Sequence, residues 1–209
     1  MFAQYKLDSP VADIQWVGAE RKTLFVRSQK NFVYRSGDEG KTWERQNWKM
    51  EKTSDEDKSG ILSFHVSPSD TSKIFFRGIG RQHWMTTDRG ARYQPLDPSF
   101  IIKEIKMHPN EPDWMLASSL TDGCRKTERK NCNMEVYLTQ DLGKTWKLLQ
   151  KYVAQFEWAP ATDGVLKPGV SAKPRTAHPR TAHRRTAHRR TAVLSAWSYT
   201  AYGILSLHV

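Results

Sequence analysis

The turn motif SGDEGKTW at residues 36–43 is the strongest indication of the fold, because it recurs twice further along the chain. The second copy is TTDRGARY at residues 86–93, and the third is TQDLGKTW at residues 139–146. All three copies follow the pattern Ser/Thr-x-Asp-x-Gly-x-x-aromatic. The residues that define this pattern are Ser36, Asp38, Gly40, Trp43, Thr86, Asp88, Gly90, Tyr93, Thr139, Asp141, Gly143 and Trp146.

Each residue type in the motif suits a tight turn. The Asp carboxylate can accept hydrogen bonds from backbone N–H groups of the turn, and the hydroxyl residue adds a further local hydrogen bond. The glycine can adopt a positive φ at little steric cost. The aromatic side chain can fold over the hairpin and bury apolar area. A catalytic or metal-binding carboxylate is the alternative, but every donor that such an Asp needs lies in its own turn. We therefore predict a structural role for these residues and no catalytic or metal site.

Each turn closes a repeat of short apolar runs. The run that opens the repeat lies 24 positions before the motif Asp in the first two repeats, at Ile14 and Phe64. In the third repeat it lies 36 positions before the Asp, at Ile105. The 12 extra positions contain Cys124 and Cys132. The third repeat is therefore predicted to be the same unit with a hairpin insertion.

The apolar runs are short, rich in β-branched and aromatic residues, and bounded by Gly, Pro, Asp and Ser. Such runs are typical of strands, and there are about four in each repeat. Four-stranded antiparallel units that recur every 40–50 residues are the pattern of β-propeller blades. We predict an all-β fold, a partial β-propeller of about three four-stranded antiparallel blades, over residues 1–160.

The turns are identified as Asp-box motifs, which occur in sialidases, in some glycoside hydrolases and in the sortilin family of vacuolar sorting receptors. The third repeat, LASSLTDGCRKTERKNCNMEVYLTQDLGKTWKLL at residues 116–149, most resembles the sortilin family. It joins a complete Asp box to a cysteine-bearing hairpin just upstream. The turns at Ser67-Pro68 and His108-Pro109 also resemble that family. The resemblance covers about residues 5–160.

This resemblance implies part of a ten-bladed lumenal propeller that binds protein or peptide cargo. Receptors of this kind act in transport from the Golgi to the endosome or vacuole, and they are not enzymes. The resemblance implies no cofactor, and it carries no ligand-binding residue over to this sequence. The N-terminus has no secretory signal pattern, and no segment is a convincing membrane span. Membrane association is therefore expected only through a span of the parent receptor.

The alternative function is a sialidase-like or xyloglucanase-like glycosidase. That chemistry requires a pair of carboxylates across a cleft, or an arginine cluster with a nucleophilic tyrosine. The acidic cluster at residues 55–57 has the composition of a solvated loop. Glu104, Asp113 and Glu157 have no evident partner in the sequence. No active site is therefore predicted.

The two cysteines, Cys124 and Cys132, are separated by eight positions in a polar insertion. In an oxidising compartment they would close a small hairpin loop as a disulfide, and in a reducing cytosol they would remain thiols. A zinc site would need two more ligands, and the sequence offers none at a suitable spacing.

The C-terminal tail accounts for most of the positive charge. Residues 164–209 hold eight Lys and Arg residues and no acid, so subtracting eight from the net charge of +11 leaves +3 for residues 1–163. A specific nucleic-acid partner is therefore not predicted. The tail contains the tandem repeat RTAHP, RTAHR, RTAHR, RTAVL. Such low complexity cannot form a packed core, and residues 161–209 are predicted to be a disordered tail.

Overall fold

The structure, a computed structural model, describes residues 5–50, 60–121, 124, 132–160, 166–172 and 205–206. These residues are almost entirely β-strand, and the one helix among them, α1, has four residues (Asn47–Met50). Three four-stranded antiparallel sheets follow one another along the chain. The predicted all-β, partial-propeller fold is confirmed. No helix in the described part of the chain is long and apolar enough to cross a membrane.

The three sheets, which we call blades 1 to 3, each contain four consecutive strands joined by hairpins. Blade 1 consists of β1 (Val11–Val17), β2 (Thr23–Ser28), β3 (Val33–Ser36) and β4 (Glu44–Arg45). Blade 2 consists of β5 (Ile61–Val66), β6 (Ile74–Gly78), β7 (His83–Thr86) and β8 (Gln94–Leu96). Blade 3 consists of β9 (Glu104–Met107), β10 (Met115–Leu120), β11 (Met134–Thr139) and β12 (Lys147–Lys151).

The blades pack face to face in chain order, because each second strand is apolar on both faces. Alternate residues of a strand point to opposite faces, so β6 directs Phe76 toward blade 1 and Phe75 toward blade 3. Phe25 of blade 1 meets Phe64 and Phe76 of blade 2, with ring centroids 6.2 Å and 5.5 Å away. Burial of several large aromatic rings in this interface provides a large hydrophobic contribution to the packing of the two sheets.

A fourth sheet follows blade 3. It consists of β13 (Val153–Pro160), β14 (Leu166–Ala172) and β15 (Leu205–Ser206), in that order. Phe156, Trp158 and Val170 of its hairpin cover Leu116 and Val136 of blade 3.

Strand β14 lies beyond residue 160, where the sequence pattern predicted that strands end. The Pro and Gly within LKPGVSA weaken the strand signal, whereas antiparallel pairing with β13 and burial against blade 3 stabilise the strand. The rest of the predicted disordered tail, apart from β15, lies outside the described residues. The acidic cluster at residues 55–57 does as well.

The outer face of blade 1, on the side away from blade 2, is only partly covered. Phe64 and Ile105, which open the second and third repeats, are 2% and 4% exposed because the preceding blade covers them. Ile14 opens the first repeat at the same register and is 56% exposed. Its neighbour Trp16 is 49% exposed. The first blade therefore presents the same apolar surface that its two sister blades bury.

Candidate functional site

The first Asp-box turn forms a closed set of hydrogen bonds around one carboxylate. Oδ1 of Asp38 accepts hydrogen bonds from the Ser36 hydroxyl and from the Thr42 backbone N–H, each at 2.8 Å. Its Oδ2 accepts from the Thr42 hydroxyl at 2.6 Å. The Ser36 hydroxyl in turn accepts from the backbone N–H of Gly40 at 2.8 Å. The indole N–H of Trp43 donates to the Gly40 carbonyl at 3.0 Å. Both oxygens of the carboxylate are thus engaged within the turn.

The third turn repeats this geometry atom for atom. Asp141 accepts from the Thr139 hydroxyl at 2.8 Å and from the backbone N–H and hydroxyl of Thr145 at 2.9 and 2.6 Å. Trp146 donates to the Gly143 carbonyl at 3.0 Å, as Trp43 does to Gly40 in the first turn. The agreement between two turns 103 positions apart in the sequence shows that the motif itself determines the conformation.

The second turn keeps the hydrogen bonds around its Asp, but two of its other residues differ from those of the first and third turns and make different contacts. Asp88 accepts from the Thr86 hydroxyl at 2.8 Å and from the Arg92 backbone N–H at 2.9 Å. Arg92 replaces the threonine, and its Nε donates to Asp88 Oδ2 at 3.0 Å. Tyr93 replaces the tryptophan, and its hydroxyl donates to Gln46 of blade 1 at 3.0 Å. This turn therefore also joins blade 2 to blade 1.

A contact that the sequence pattern did not predict ties each Asp box to the first turn of its own blade. The residue between Asp and Gly has a positive φ, and its backbone N–H donates to a carbonyl in the turn between the first and second strands. The donor and acceptor pairs are Glu39 with Lys22, Arg89 with Ser72, and Leu142 with Asp113, each at 3.0 Å. The donor residue type differs in every repeat and the contact uses only backbone atoms, so the sequence carries no signal for it.

The electrostatics of the three turns favour ionised carboxylates. Hydrogen bonds from Thr42 and Ser36 lower the pKa of Asp38 to about 2. Burial raises the pKa of Asp88, but the hydrogen bonds from Arg92 and Thr86 outweigh it, so that this pKa is lowered overall. The pKa of Asp141 is lowered in the same way, with burial outweighed by hydrogen bonds from Thr145 and Thr139. Such carboxylates are permanent acceptors near neutral pH rather than proton donors.

The other carboxylates that the sequence offered to a glycosidase are paired with lysines. Asp113 accepts from Lys73 at 2.7 Å. Glu104 and Glu157 both contact Lys106, which links blade 3 to β13. Nowhere in the described ranges do three His, Cys, Asp or Glu side chains group as a metal site would require.

Cys124 and Cys132 form a disulfide, with their Cα atoms 4.5 Å apart. The bond closes the base of the insertion between β10 and β11. Thr121 supports that base, because its carbonyl accepts from the Cys124 N–H at 2.9 Å and its hydroxyl accepts from the Asn133 N–H at 3.1 Å. The pairing expected for an oxidising compartment is present.

The comparisons with known proteins agree with this architecture. The sequence signature of the Sortilin-Vps10 family, described as sortilin, neurotensin receptor 3, matches residues 31–201. The vacuolar protein sorting/targeting protein 10 of Schizosaccharomyces pombe is 28% identical over 167 residues, which cover 75% of this chain and 11% of that protein. The human VPS10 domain-containing receptor SorCS3 is 27% identical over 166 residues, covering 72% of this chain and 12% of the receptor. The chain thus spans about a tenth of the length of these relatives.

Among solved structures, an ancestral GH74 enzyme superposes with a TM-score of 0.53 at 14% identity. The superposition covers 79% of this chain and 24% of that enzyme. At this identity the likeness concerns the fold alone. The family signature extends over well more than half of the chain, and the structure describes the Asp-box turns and the Cys124–Cys132 disulfide, which lie in the segments that resemble the sortilin family. The chain belongs to the Sortilin-Vps10 family.

Proposed function

We propose that this chain is part of the cargo-binding propeller of a sorting receptor that moves proteins or peptides from the Golgi to the endosome or vacuole. The observation that carries the proposal is the match of the Sortilin-Vps10 signature to residues 31–201. Relatives in fungi and animals are named sorting proteins or receptors. A lumenal location agrees with the Cys124–Cys132 disulfide, because disulfides persist in oxidising compartments.

The hydrogen bonds of the Asp boxes favour this function over a glycosidase. All three motif carboxylates are engaged by donors of their own turns. The remaining candidates Glu104, Asp113 and Glu157 are held by lysines. A glycosidase that uses two carboxylates, as a xyloglucanase does, needs one protonated and one free carboxylate facing a common cleft. The described residues offer no such pair.

The exposed face of blade 1 supports a role within a larger ring. Ile14 and Trp16 lie on the outer face, where the sister blades receive a preceding blade. Large exposed apolar side chains at a repeat interface favour coverage by another repeat. In the complete receptor this face is covered by a further blade, and cargo binds to the ring as a whole.

A chimera tests the proposal. Residues 5–160 replace the matching segment of the Schizosaccharomyces pombe relative in cells that lack the native protein, and secretion of soluble vacuolar proteins into the medium is measured. Cells with the chimera are expected to retain their soluble vacuolar proteins nearly as well as cells with the native protein. The control chimera carries Phe25→Ala, which removes a fully buried ring from the interface of blades 1 and 2 and should cause secretion. Secretion from the unmodified chimera, with a normal protein level and localisation, would contradict the proposal. Hydrolysis of a sialoside or a glucan by the purified chain would contradict the non-catalytic part.

A further inference from the structure

A cluster of basic and polar side chains lies on the face of blade 2 that is directed toward blade 3. It comprises Ser63, His65, Arg77 and His83. Arg77 on β6 is the cross-strand partner of Ser63 on β5 and of His83 on β7. Cross-strand partners project from the same face, and this is the face on which Phe75 packs toward blade 3.

The hydrogen bonds of this cluster leave the end of one guanidinium available. Arg77 Nε donates to the Ser63 hydroxyl oxygen at 3.0 Å. That oxygen lies 3.1 Å from His65 Nε2. Arginine has five N–H donors in a planar fork. In the part of the chain that the structure describes, Arg77 makes no ion pair and its terminal N–H groups have no partner.

The positive charge of the cluster belongs to Arg77, because burial and the Arg77 guanidinium lower the pKa of His65, with an opposing contribution from Asp13. Burial lowers the pKa of Arg77, and the guanidinium of Arg27 lowers it further. Burial lowers the pKa of His83 to about 4, with a further contribution from Arg77 and a small opposing one from Asp97. His83 is fully buried, and its Nε2 has no hydrogen-bond partner among the described residues. An anion beside Arg77 would offset the repulsion between the Arg77 and Arg27 guanidinium groups.

Comparison of the three repeats shows that the fold does not require this arginine. The register of the first two strands places Arg27 of blade 1 and Ser118 of blade 3 at the position of Arg77. Ser118 is a small neutral residue, so blade 3 forms the same sheet without a charge there. Arg27 differs from Arg77 because it lies opposite Asp13 and donates to the Asn31 side chain at 3.1 Å. Of these two arginines, Arg77 is the one whose side chain has no acidic or amide partner among the described residues.

We propose that Arg77, together with Ser63 and His65, forms a binding site for an oxyanion, namely a carboxylate or phosphate group of a ligand. A guanidinium fork binds such groups through two parallel charge-assisted hydrogen bonds. All three side chains are partly exposed, so a ligand can reach them. The site stands on its own contacts and does not depend on the sorting function.

Thermal unfolding of the full-length chain with its disulfide intact tests the site. The midpoint Tm is measured in sodium phosphate, in sodium acetate and in sodium chloride at equal ionic strength. A ligand at roughly ten times its Kd should raise Tm by about 3–6 °C for a protein of this size. A rise in Tm in phosphate but not in acetate identifies a phosphate group as the ligand. A rise in Tm in acetate but not in phosphate identifies a carboxylate. Either increment supports the site, and the absence of both would overturn it.

Two variants separate binding from a structural role. Arg77→Gln should abolish the increment and should have a Tm in chloride equal to or higher than that of the wild type, because it removes a desolvated, unpaired charge. Lys41→Gln is the matched control, since it removes one exposed positive charge from the Asp-box end of blade 1 and should retain the full increment. Equal increments in both variants would show generic ion binding and overturn the proposal. A lower Tm of Arg77→Gln in chloride with the increment retained would do the same and would assign Arg77 a structural role.

Discussion

The packing between blades 1 and 2 can be tested by a substitution of Gly90, in the second Asp box, that adds a single methyl group. Its φ is +80°, and a Cβ added there would lie 2.5 Å from Cζ of Phe25 and 2.7 Å from the Tyr93 hydroxyl oxygen. Phe25 belongs to blade 1 and is fully buried between the blades. Gly90→Ala therefore introduces backbone strain and, in addition, forces blade 2 away from blade 1.

Gly80 is the matched control within the same blade. Its φ is +69°, but an added Cβ would meet no atom within 4 Å. Gly80→Ala thus carries only the backbone strain, about 1–2 kcal/mol for an L residue in the left-handed region. Gly90→Ala carries the same strain plus overpacking of the core, about 1–3 kcal/mol more. The total expected for Gly90→Ala is about 2–5 kcal/mol.

Thermal and urea unfolding of the two variants measure this difference. One kcal/mol corresponds to about 2–4 °C in Tm for a protein of this size, so Gly90→Ala should melt about 2–12 °C below Gly80→Ala. The urea m value should stay unchanged, because the surface exposed on unfolding is the same. Equal midpoints for the two variants would show that the second Asp box does not pack on Phe25, and would refute the packing of blade 2 against blade 1.

Three further perturbations have defined outcomes. Burial in the folded protein lowers the pKa of His83 from its ordinary value of 6.5 to about 4. The neutral imidazole therefore costs no stability above pH 6.5, whereas the free energy of unfolding falls by about 3 kcal/mol as the pH decreases toward 4. His83→Gln should remove that part of the acid dependence of urea unfolding, and an unchanged dependence would contradict the burial of His83. Asp141→Ala leaves three donors of the third turn without their acceptor and should cost about 1–3 kcal/mol in the same assay; no loss of stability would argue against a structural Asp box. The double variant with Cys124→Ser and Cys132→Ser should lose about 2–3 kcal/mol through the entropy of a nine-residue loop, whereas two free thiols detected in the unfolded, unreduced wild type would show that the bond does not form.

The sequence predicts the structure best where each residue type in a motif satisfies one requirement of the backbone conformation. The Asp-box turns are predictable because a carboxylate, a hydroxyl and a glycine at fixed spacing satisfy a single turn, and the 24-residue spacing from Ile14 to Asp38 and from Phe64 to Asp88 locates the first strands of blades 1 and 2. The positive φ of Glu39 and its equivalents was not predictable, because only backbone atoms make that contact. Strand β14 is not predictable from the sequence because Pro168 and Gly169 weaken its strand signal, and because its burial against blade 3 involves residues that are distant in the sequence. Arg77 was missed because its significance depends on the absence of an acid in three dimensions.

In a partial propeller, the three blades are successive rotations of one unit about a common axis. Equivalent exposed positions of the Asp boxes, Lys41, Ala91 and Lys144, allow direct measurement of this arrangement. Each pair is replaced by cysteine, spin-labelled with the native disulfide intact, and its separation determined by electron–electron double resonance. Equal distances are expected for the first and second pair of neighbouring blades, together with a distance between blades 1 and 3 that is clearly shorter than the sum of those two. Unequal neighbouring distances, or three labels on a straight line, would contradict this arrangement.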